Sequence, residues 1–158
     1  MPEWGYSTST MDSEKMARAS GRDLHISPKE AIEICSAIRY MQLDDAIKYL
    51  ERVAKKKEGV PYRRFKRNVP HHPEIAARFG IPSGRYPINA SEAILKVLNN
   101  ARSNAENKGL DTERLKINHA CAQRAMQLRN YVQRAFGRST PYFHPLTHVE
   151  IIVEETGA

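Results

Sequence analysis

Residues 114–140 read RLKINHACAQRAMQLRNYVQRAFGRST, a stretch with six basic side chains and no aspartate or glutamate. Its first eight residues alternate between apolar and more polar types, the period of two that is typical of a β-strand. A second alternation covers residues 149–153 near the end of the chain. The two patterns predict a long antiparallel hairpin in which Leu115 pairs with Val153 and the midpoint falls at Arg134.

The outer part of this hairpin, about residues 122–145, is called the arm. About 12 residues of each strand, at about 3.3 Å each, would project about 40 Å beyond the sheet. An isolated ribbon of two strands has no core to bury against and is only marginally stable in water. We therefore expect the arm to need a binding partner.

The side chains of the arm indicate which partner that is. Arginine binds phosphate bidentately and stacks on bases, and aromatic rings offer stacking surfaces for unpaired bases. A basic stretch is often only a solvated surface, but here its length, its lack of acids and its aromatic residues favour RNA. Gly137 suits a turn with positive φ or a close backbone approach. The predicted RNA-binding residues are Arg124, Arg129, Tyr131, Arg134, Phe136, Gly137 and Arg138.

A second basic segment, the connection of residues 59–87, contains five prolines and a cluster of cations at Arg63, Arg64, Lys66 and Arg67. A long irregular connection in a compact domain is usually functional. We predict that this cluster also binds RNA.

Three amphipathic helices complete the pattern. The first has Ser27 as a candidate cap, Pro28 at its first position and Glu30 placed for a capping box. The second spans about residues 43–54, and the third opens with Asn89 as its candidate cap. A short strand with Leu24 and Ile26 on one face is expected before the first helix.

Together these elements predict an α+β fold: a small three-stranded antiparallel sheet packed against three helices, with a long protruding β-hairpin. The chain has 158 residues, the size of one domain. We expect an amino-terminal tail at 1–16, containing Trp4 and Tyr6, and a single domain at 17–158 that includes the connection and the arm.

Composition excludes several classes of protein. The net charge of +7 favours polyanionic partners. The longest apolar runs fall far short of the roughly 20 residues that a membrane helix needs, and the start of the sequence has no secretory pattern. We expect a soluble cytoplasmic protein. Cys35 and Cys121, each in an apolar pattern, are interpreted as small buried side chains in a reducing compartment rather than a disulfide or metal site.

No catalytic or metal site is recognisable in the sequence. The adjacent His71 and His72 lack the additional ligands that a zinc site requires. The Asp44 and Asp45 pair fits the first turn of a helix better than an acid/base dyad. Phosphate-binding glycine motifs are missing. We expect no enzymatic activity, no cofactor and no metal.

Several stretches resemble the large-subunit ribosomal protein twenty-two family in its archaeal and eukaryotic form, numbered seventeen in eukaryotes. The similarity covers about residues 17–155 and rests on the order and spacing of motifs rather than on any one of them. The matching stretches are Ser27-Pro28-Lys29, Ala37-Ile38-Arg39, Leu43 to Val53, Gly84-Arg85-Tyr86-Pro87, Gly109-Leu110-Asp111, Arg134-Ala135-Phe136-Gly137-Arg138 and His148-Val149-Glu150-Ile151. Two positions depart from the family pattern: Gln133 stands where a proline is expected, and Tyr40 where a glycine usually follows the first helix.

The resemblance implies a structural, non-enzymatic protein that binds large-subunit ribosomal RNA beside neighbouring ribosomal proteins. It also implies that the arm lines the nascent-chain exit tunnel and that its tip contacts the nascent peptide. Arg129, Arg134, Gly137 and Arg138 would be the tip contacts. Arg85 and Tyr86 would belong to the RNA-facing connection.

Two other interpretations remain open. A free RNA- or DNA-binding regulator could use the same basic surfaces away from ribosomes. An RNA-modifying enzyme is disfavoured because the sequence offers no nucleophile with a base beside it.

Overall fold

The computed structural model describes residues 5–8 and 15–156. In chain order the elements are β1 (Met16–Leu24), α1 (Pro28–Ile38), α2 (Leu43–Ala54), β2 (Val60–Pro61), α3 (Pro73–Phe79), β3 (Gly84–Arg85), α4 (Ile88–Asn107), a 3₁₀ turn (Thr112–Arg114), β4 (Leu115–Gln133) and β5 (Ser139–Glu155). None of the helices in these ranges is long and apolar enough to span a membrane.

The main sheet has three antiparallel strands in the order β1-β5-β4, so β5 lies in the centre. Helices α1 and α4 cover one face of it. Ile34 of α1, Leu98 of α4 and Ile151 of β5 are all fully buried between the two layers. This arrangement confirms the predicted α+β class, because each layer covers the apolar face of the other.

Described residues of the predicted amino-terminal tail contact the opposite face of the sheet. The backbone amide of Ser7 donates to Glu150 Oε2 at 3.0 Å. The guanidinium of Arg18 lies 5.6 Å from the centre of the Tyr6 ring. Trp4 is outside the described residues.

The connection of residues 59–87 is more ordered than its sequence indicated. It contains a fourth, short helix, α3, and the two-stranded pairing of β2 with β3. Seven residues are too few to establish a helical period in the sequence. Pro73 nevertheless opens α3, and Gly80 ends it in the left-handed conformation at φ +70°.

Glycine is required where β3 pairs with β2. A Cβ added at Gly84 would lie 2.4 Å from the carbonyl oxygen of Val60 and 2.4 Å from Ile75 Cδ1. This close approach fixes the ends of the connection against the domain.

Three local predictions were wrong. The first strand ends at Leu24, so Ile26 lies beyond it, because Asp23 takes a positive φ of 50° and the register shifts there. Helix α4 begins at Ile88, one residue before the predicted Asn89 cap, and the hydroxyl of Ser91 donates to the carbonyl of Pro87. The predicted pairing of Leu115 with Val153 is also displaced, and Leu115 pairs with Glu155.

At the start of α1 the predicted positions hold but the predicted bonds do not. Ser27 occupies the cap position and Pro28 the first helical position, yet the Ser27 side chain makes no capping hydrogen bond. Glu30 instead binds the ammonium of Lys66 at 2.7 Å. A charged partner from the connection has replaced the capping box.

Tyr40 occupies the position where the resemblance leads to the expectation of a glycine. Its φ is +68°, in the region that favours glycine. Its amide donates to the Ile117 carbonyl at 2.8 Å, and the Ile117 amide donates to the Met41 carbonyl at 2.9 Å. The turn after α1 is therefore held against β4 through the backbone.

Candidate nucleic-acid interface

The hairpin of β4 and β5 divides into a buried root and an exposed arm. At the root, Ala120 pairs with Ile151 and Ala122 with Val149, and all but Ala122 are fully buried. A bulge between Arg124 and Gln127 adds one residue to β4. Bulges increase strand twist and bend the strand that carries them. The bulge lies where the hairpin leaves the domain.

Beyond the bulge the strands continue to pair without burial. The register runs without a further shift from Gln127 with Pro145 to Gln133 with Ser139. Every residue from 131 to 145 is exposed. Tyr131 exposes 61% of its surface and Phe136 exposes 95%. The arm predicted at about 122–145 is therefore a solvated ribbon in the free chain.

Alternation along the strands gives the arm two different faces. The helix-side face continues from buried Thr147 and carries Arg124, Arg129, Tyr131 and Phe143, with Tyr131 and Phe143 in edge contact at 5.7 Å between ring centres. On the opposite face the rings of Tyr142 and His144 lie 4.6 Å apart. Three of the predicted RNA-binding residues thus share one face.

The tip is a five-residue turn from Arg134 to Arg138. The Arg134 amide donates to the Arg138 carbonyl at 2.8 Å, and Arg134 Nε donates to Thr140 Oγ1 at 3.1 Å. Phe136 and Gly137 both take positive φ, at 59° and 69°. The turn centres on Phe136, two residues after the predicted midpoint at Arg134. One residue of this shift comes from the pairing of Leu115 with Glu155 rather than Val153, and the other from the two bulges on β4, which add residues to one strand only.

The charge of the arm is not neutralised by the protein. Within the described residues, no ion pair involves Arg124, Arg129, Arg134 or Arg138. Arg114, at the start of the acid-free stretch, differs because it belongs to the domain and pairs with Asp111 at 3.3 Å.

A buried carboxylate organises the basic connection. Glu33 of α1 is only 2% exposed. Its two oxygens accept the backbone amides of Arg63, Arg64 and Phe65 at 2.9, 2.8 and 2.6 Å. Because the backbone amides satisfy this buried anion, the arginine side chains of the loop stay directed to solvent. We call this arrangement the Glu33 clamp.

Beside the clamp the cations surround an open depression of about 640 Å³. Four cationic residues line it, Arg64, Lys66, Arg67 and Arg85. The other two lining residues are Asn68 and Val69, and no acidic residue lines the depression. Like charges that converge in this way favour an anionic ligand. The structure therefore brings Arg85 of β3 together with the cluster that the sequence had placed some 20 residues earlier.

Tyr86 is engaged within the protein. Its hydroxyl donates to Glu74 Oε1, and its ring meets His72 edge-on at 5.3 Å between centres. The hydrogen bond to Glu74 is the main cause that raises the pKa of Tyr86, with smaller contributions from burial and from the charge of Glu74. The structure thus places its hydroxyl on a carboxylate rather than in the depression.

Two residues of the interface were not predicted from the sequence. Glu33 lies on the apolar side of α1, where a single carboxylate opposite a basic loop was the available signal. Phe143 was not assigned to the site from the sequence, because the β4 residues that share its face depend on the bulge.

Cys35 is buried as predicted, whereas the prediction for Cys121 was wrong, since this thiol is only partly buried. Burial is the main cause that raises the pKa of the Cys35 thiol to about 12, so this thiol stays protonated at neutral pH. In the part of the chain that the structure describes, no group of three or more histidine, cysteine or acidic side chains is arranged to hold a metal.

Comparison with known proteins identifies the family of this chain. The model of the family described as ribosomal protein L22p/L17e matches residues 19–154. The chain belongs to this family. Proteins of the L22p/L17e family are structural and have no enzymatic activity.

Archaeal relatives match this chain over nearly its full length. A protein of Ignicoccus hospitalis named large ribosomal subunit protein uL22 is 49% identical, with 98% of this chain and 99% of the relative covered. The protein of the same name from Methanopyrus kandleri is 49% identical, with 96% of each covered. That of Methanosphaera stadtmanae is 48% identical, with 95% of this chain and 96% of the relative covered.

Proposed function

We propose that this protein is a structural constituent of the large ribosomal subunit in the cytoplasm, where it binds ribosomal RNA through the arm and the basic connection. The observation that carries the proposal is the arm itself: a paired ribbon with unpaired arginines, exposed aromatic rings and no apolar surface to bury against. Family membership and the printed names of the relatives support the ribosome as the site of action.

Recognition would depend on RNA shape and phosphate geometry more than on sequence. The cations of the arm and of the connection are side chains that bind phosphate, and the described surface offers them in two separate patches. A protein that binds RNA through both patches can hold two RNA segments together. The protein would thereby help to fold the RNA as well as bind it, beside neighbouring ribosomal proteins.

We further propose that the tip lines the nascent-peptide exit tunnel and contacts the nascent peptide. The resemblance to the family suggests this position. The geometry is compatible with it, because Phe136 at the turn is almost fully exposed and Arg134, Gly137 and Arg138 surround it.

Sedimentation of a cell lysate tests the main proposal. We expect the protein to co-sediment stoichiometrically with the large-subunit peak, and salt-washed subunits to retain it. A mostly free pool would contradict the proposal and favour the free regulator. Salt titration alone cannot separate the two, because phosphate contacts weaken with salt in either case.

Crosslinking tests the position of the tip. A photoreactive amino acid at Phe136 should crosslink to a stalled nascent chain in purified ribosomes. The same probe at Tyr40, which is exposed on the domain, is the control and should not. Equal crosslinking at both positions would contradict the tunnel position.

A further inference from the structure

A cavity of about 540 Å³ lies where the arm leaves the domain, between the start of α1 and the helix-side face of the arm. It is distinct from the depression beside the Glu33 clamp, with which it shares only Lys66. Its volume is within the range of about 300–1,000 Å³ that is usual for small-ligand sites.

The lining of this cavity has two kinds of surface. One part is cationic, from Lys29, Lys66 and Arg124, and no acidic residue lines it. The other part is apolar, from Phe143 and Pro145 with neighbouring small side chains. Gln127 adds an amide that can both donate and accept hydrogen bonds.

The cations differ in how far they are already used. Lys66 is held by Glu30 at 2.7 Å, so its charge is partly compensated. Within the described residues no ion pair involves Lys29 or Arg124. An anion entering the cavity would therefore bind mainly to these two.

The aromatic wall remains available to a ligand. Phe143 is 38% exposed, and its edge contact with Tyr131 leaves ring surface open. A ligand that fills the cavity would need a flat apolar part for the ring and an anionic part for the cations. A nucleotide has both, since every base has a π-face and every residue of RNA has a phosphate.

We propose that this cavity binds one unpaired nucleotide of RNA, with its base against Phe143 and its phosphate on Lys29 and Arg124. The proposal deepens the proposed function and rests on it, because it names a binding subsite for the same RNA. Capture of a single nucleotide at the root would fix the direction in which the arm enters the RNA.

Nuclear magnetic resonance titration of the full-length protein tests the proposal. The probes are adenosine 5′-monophosphate, cytidine 5′-monophosphate, inorganic phosphate and a short polyglutamate peptide. We expect both nucleotides to shift the amide resonances of Ser27, Lys29, residues 124–127, Phe143 and His144. We also expect them to bind at least fivefold more tightly than phosphate, since stacking typically contributes about five- to 150-fold per base.

Matched variants assign the two parts of the ligand. Phe143→Leu should remove the preference for nucleotide over phosphate, whereas Tyr40→Leu, at an exposed aromatic residue of the domain, should leave it unchanged. Lys29→Gln should weaken nucleotide and phosphate alike, whereas Lys96→Gln on α4 should weaken neither. Each control removes the same kind of group, an aromatic ring or a lysine charge, at an exposed position away from the cavity.

Three results would overturn the subsite. The first is equal affinity for nucleotide and phosphate. The second is that the nucleotides shift only amide resonances outside the cavity. The third is tighter binding of the acidic peptide than of the nucleotides. Binding of large-subunit RNA is measured in parallel by filter retention. If the protein binds the RNA but the nucleotides cause no chemical-shift changes at the cavity, only the subsite proposal is contradicted. If the protein does not bind the RNA, the proposed function is contradicted.

Discussion

The root and the arm of the hairpin are built from the same two strands but are stabilised differently. At the root, Ile151 and Val149 are fully buried against the helices. On the arm, the same ladder continues between residues whose side chains are exposed, and residues 131–145 contribute nothing to a core. Backbone pairing alone is weak in water, because water competes for the same hydrogen bonds.

The difference separates stability from function along one hairpin. The root holds the domain together and contributes few free cations. The arm contributes the cations and the aromatic rings, and we expect it to depend on a partner for its order because it has no core to bury against. Substitutions at the two ends should therefore affect different measurements, which the following experiments test in order of decreasing effect.

Removing the charge of the arm should have the largest effect, and that effect should be on RNA binding alone. In a variant with Arg124, Arg129, Arg134 and Arg138 all changed to Gln, we expect the slope of log affinity against log salt to fall by about four, one for each lost phosphate contact. The free energy of unfolding should change by no more than about 0.5 kcal/mol per site, because all four are exposed.

The control removes the same charge from α2 and the residues after it. Changing Lys48, Lys55, Lys56 and Lys57 to Gln should alter the salt dependence much less. Equal losses in the two variants would show that net charge, and not the arm, determines binding.

Two valines, one at the root and one on the arm, test whether the root alone contributes to the stability of the domain. Val149→Ala at the root should lower the free energy of unfolding by about 2–3 kcal/mol, because it removes buried methyl groups and leaves a cavity. Val132→Ala, 40% exposed on the arm, should change it by less than about 0.5 kcal/mol. Urea denaturation measures both, and similar losses would contradict the division into root and arm.

The Glu33 clamp links stability with binding. Glu33→Gln leaves one acceptor oxygen for three amides, and we expect a loss of about 1–2 kcal/mol in stability together with weaker RNA binding at the connection. The control is Glu30→Gln, which breaks only the partly exposed pair with Lys66 and should cost less than about 1 kcal/mol. Unchanged RNA affinity in Glu33→Gln would refute its positioning role.

The smallest effect should be the pH dependence that His119 confers on the root. Burial and the nearby Arg39 lower its pKa, against the opposing effect of Glu150. The unfolded chain therefore binds a proton more readily than the folded one, so this contribution to stability is lost as pH falls below about 6.5. His119→Gln should flatten that part of the stability profile between pH 5 and 8. His144→Gln on the arm should leave it unchanged.

Sequence patterns predicted the parts of the fold that depend on burial. The alternation after Leu115 and the apolar faces of α1, α2 and α4 reflect burial in the core. The bounds of these elements were predicted within a few residues. Features set by single contacts were missed. Helix α3 is too short to show a period, and the bulge after Arg124 shifts the turn without any sequence signal of its own.

The candidate site was predictable in composition but not in arrangement. Clusters of arginine identified both basic segments. They did not show that Arg85 joins Arg64 in one depression, or that Phe143 shares a face with Arg124, since these depend on how distant segments pack. The roles of individual RNA-binding residues remain predictions.

Hydrogen exchange of the hairpin amides, in the free protein and in purified large subunits, tests the central claim most directly. In the free protein we expect the amides of residues 127–133, 139–140 and 142–144 to exchange at least about 100-fold faster than those of residues 115–122 and 149–153, because no core protects them. In the subunit both sets should exchange slowly. Equal protection of arm and root in the free protein would contradict the claim that the arm is ordered by its RNA partner.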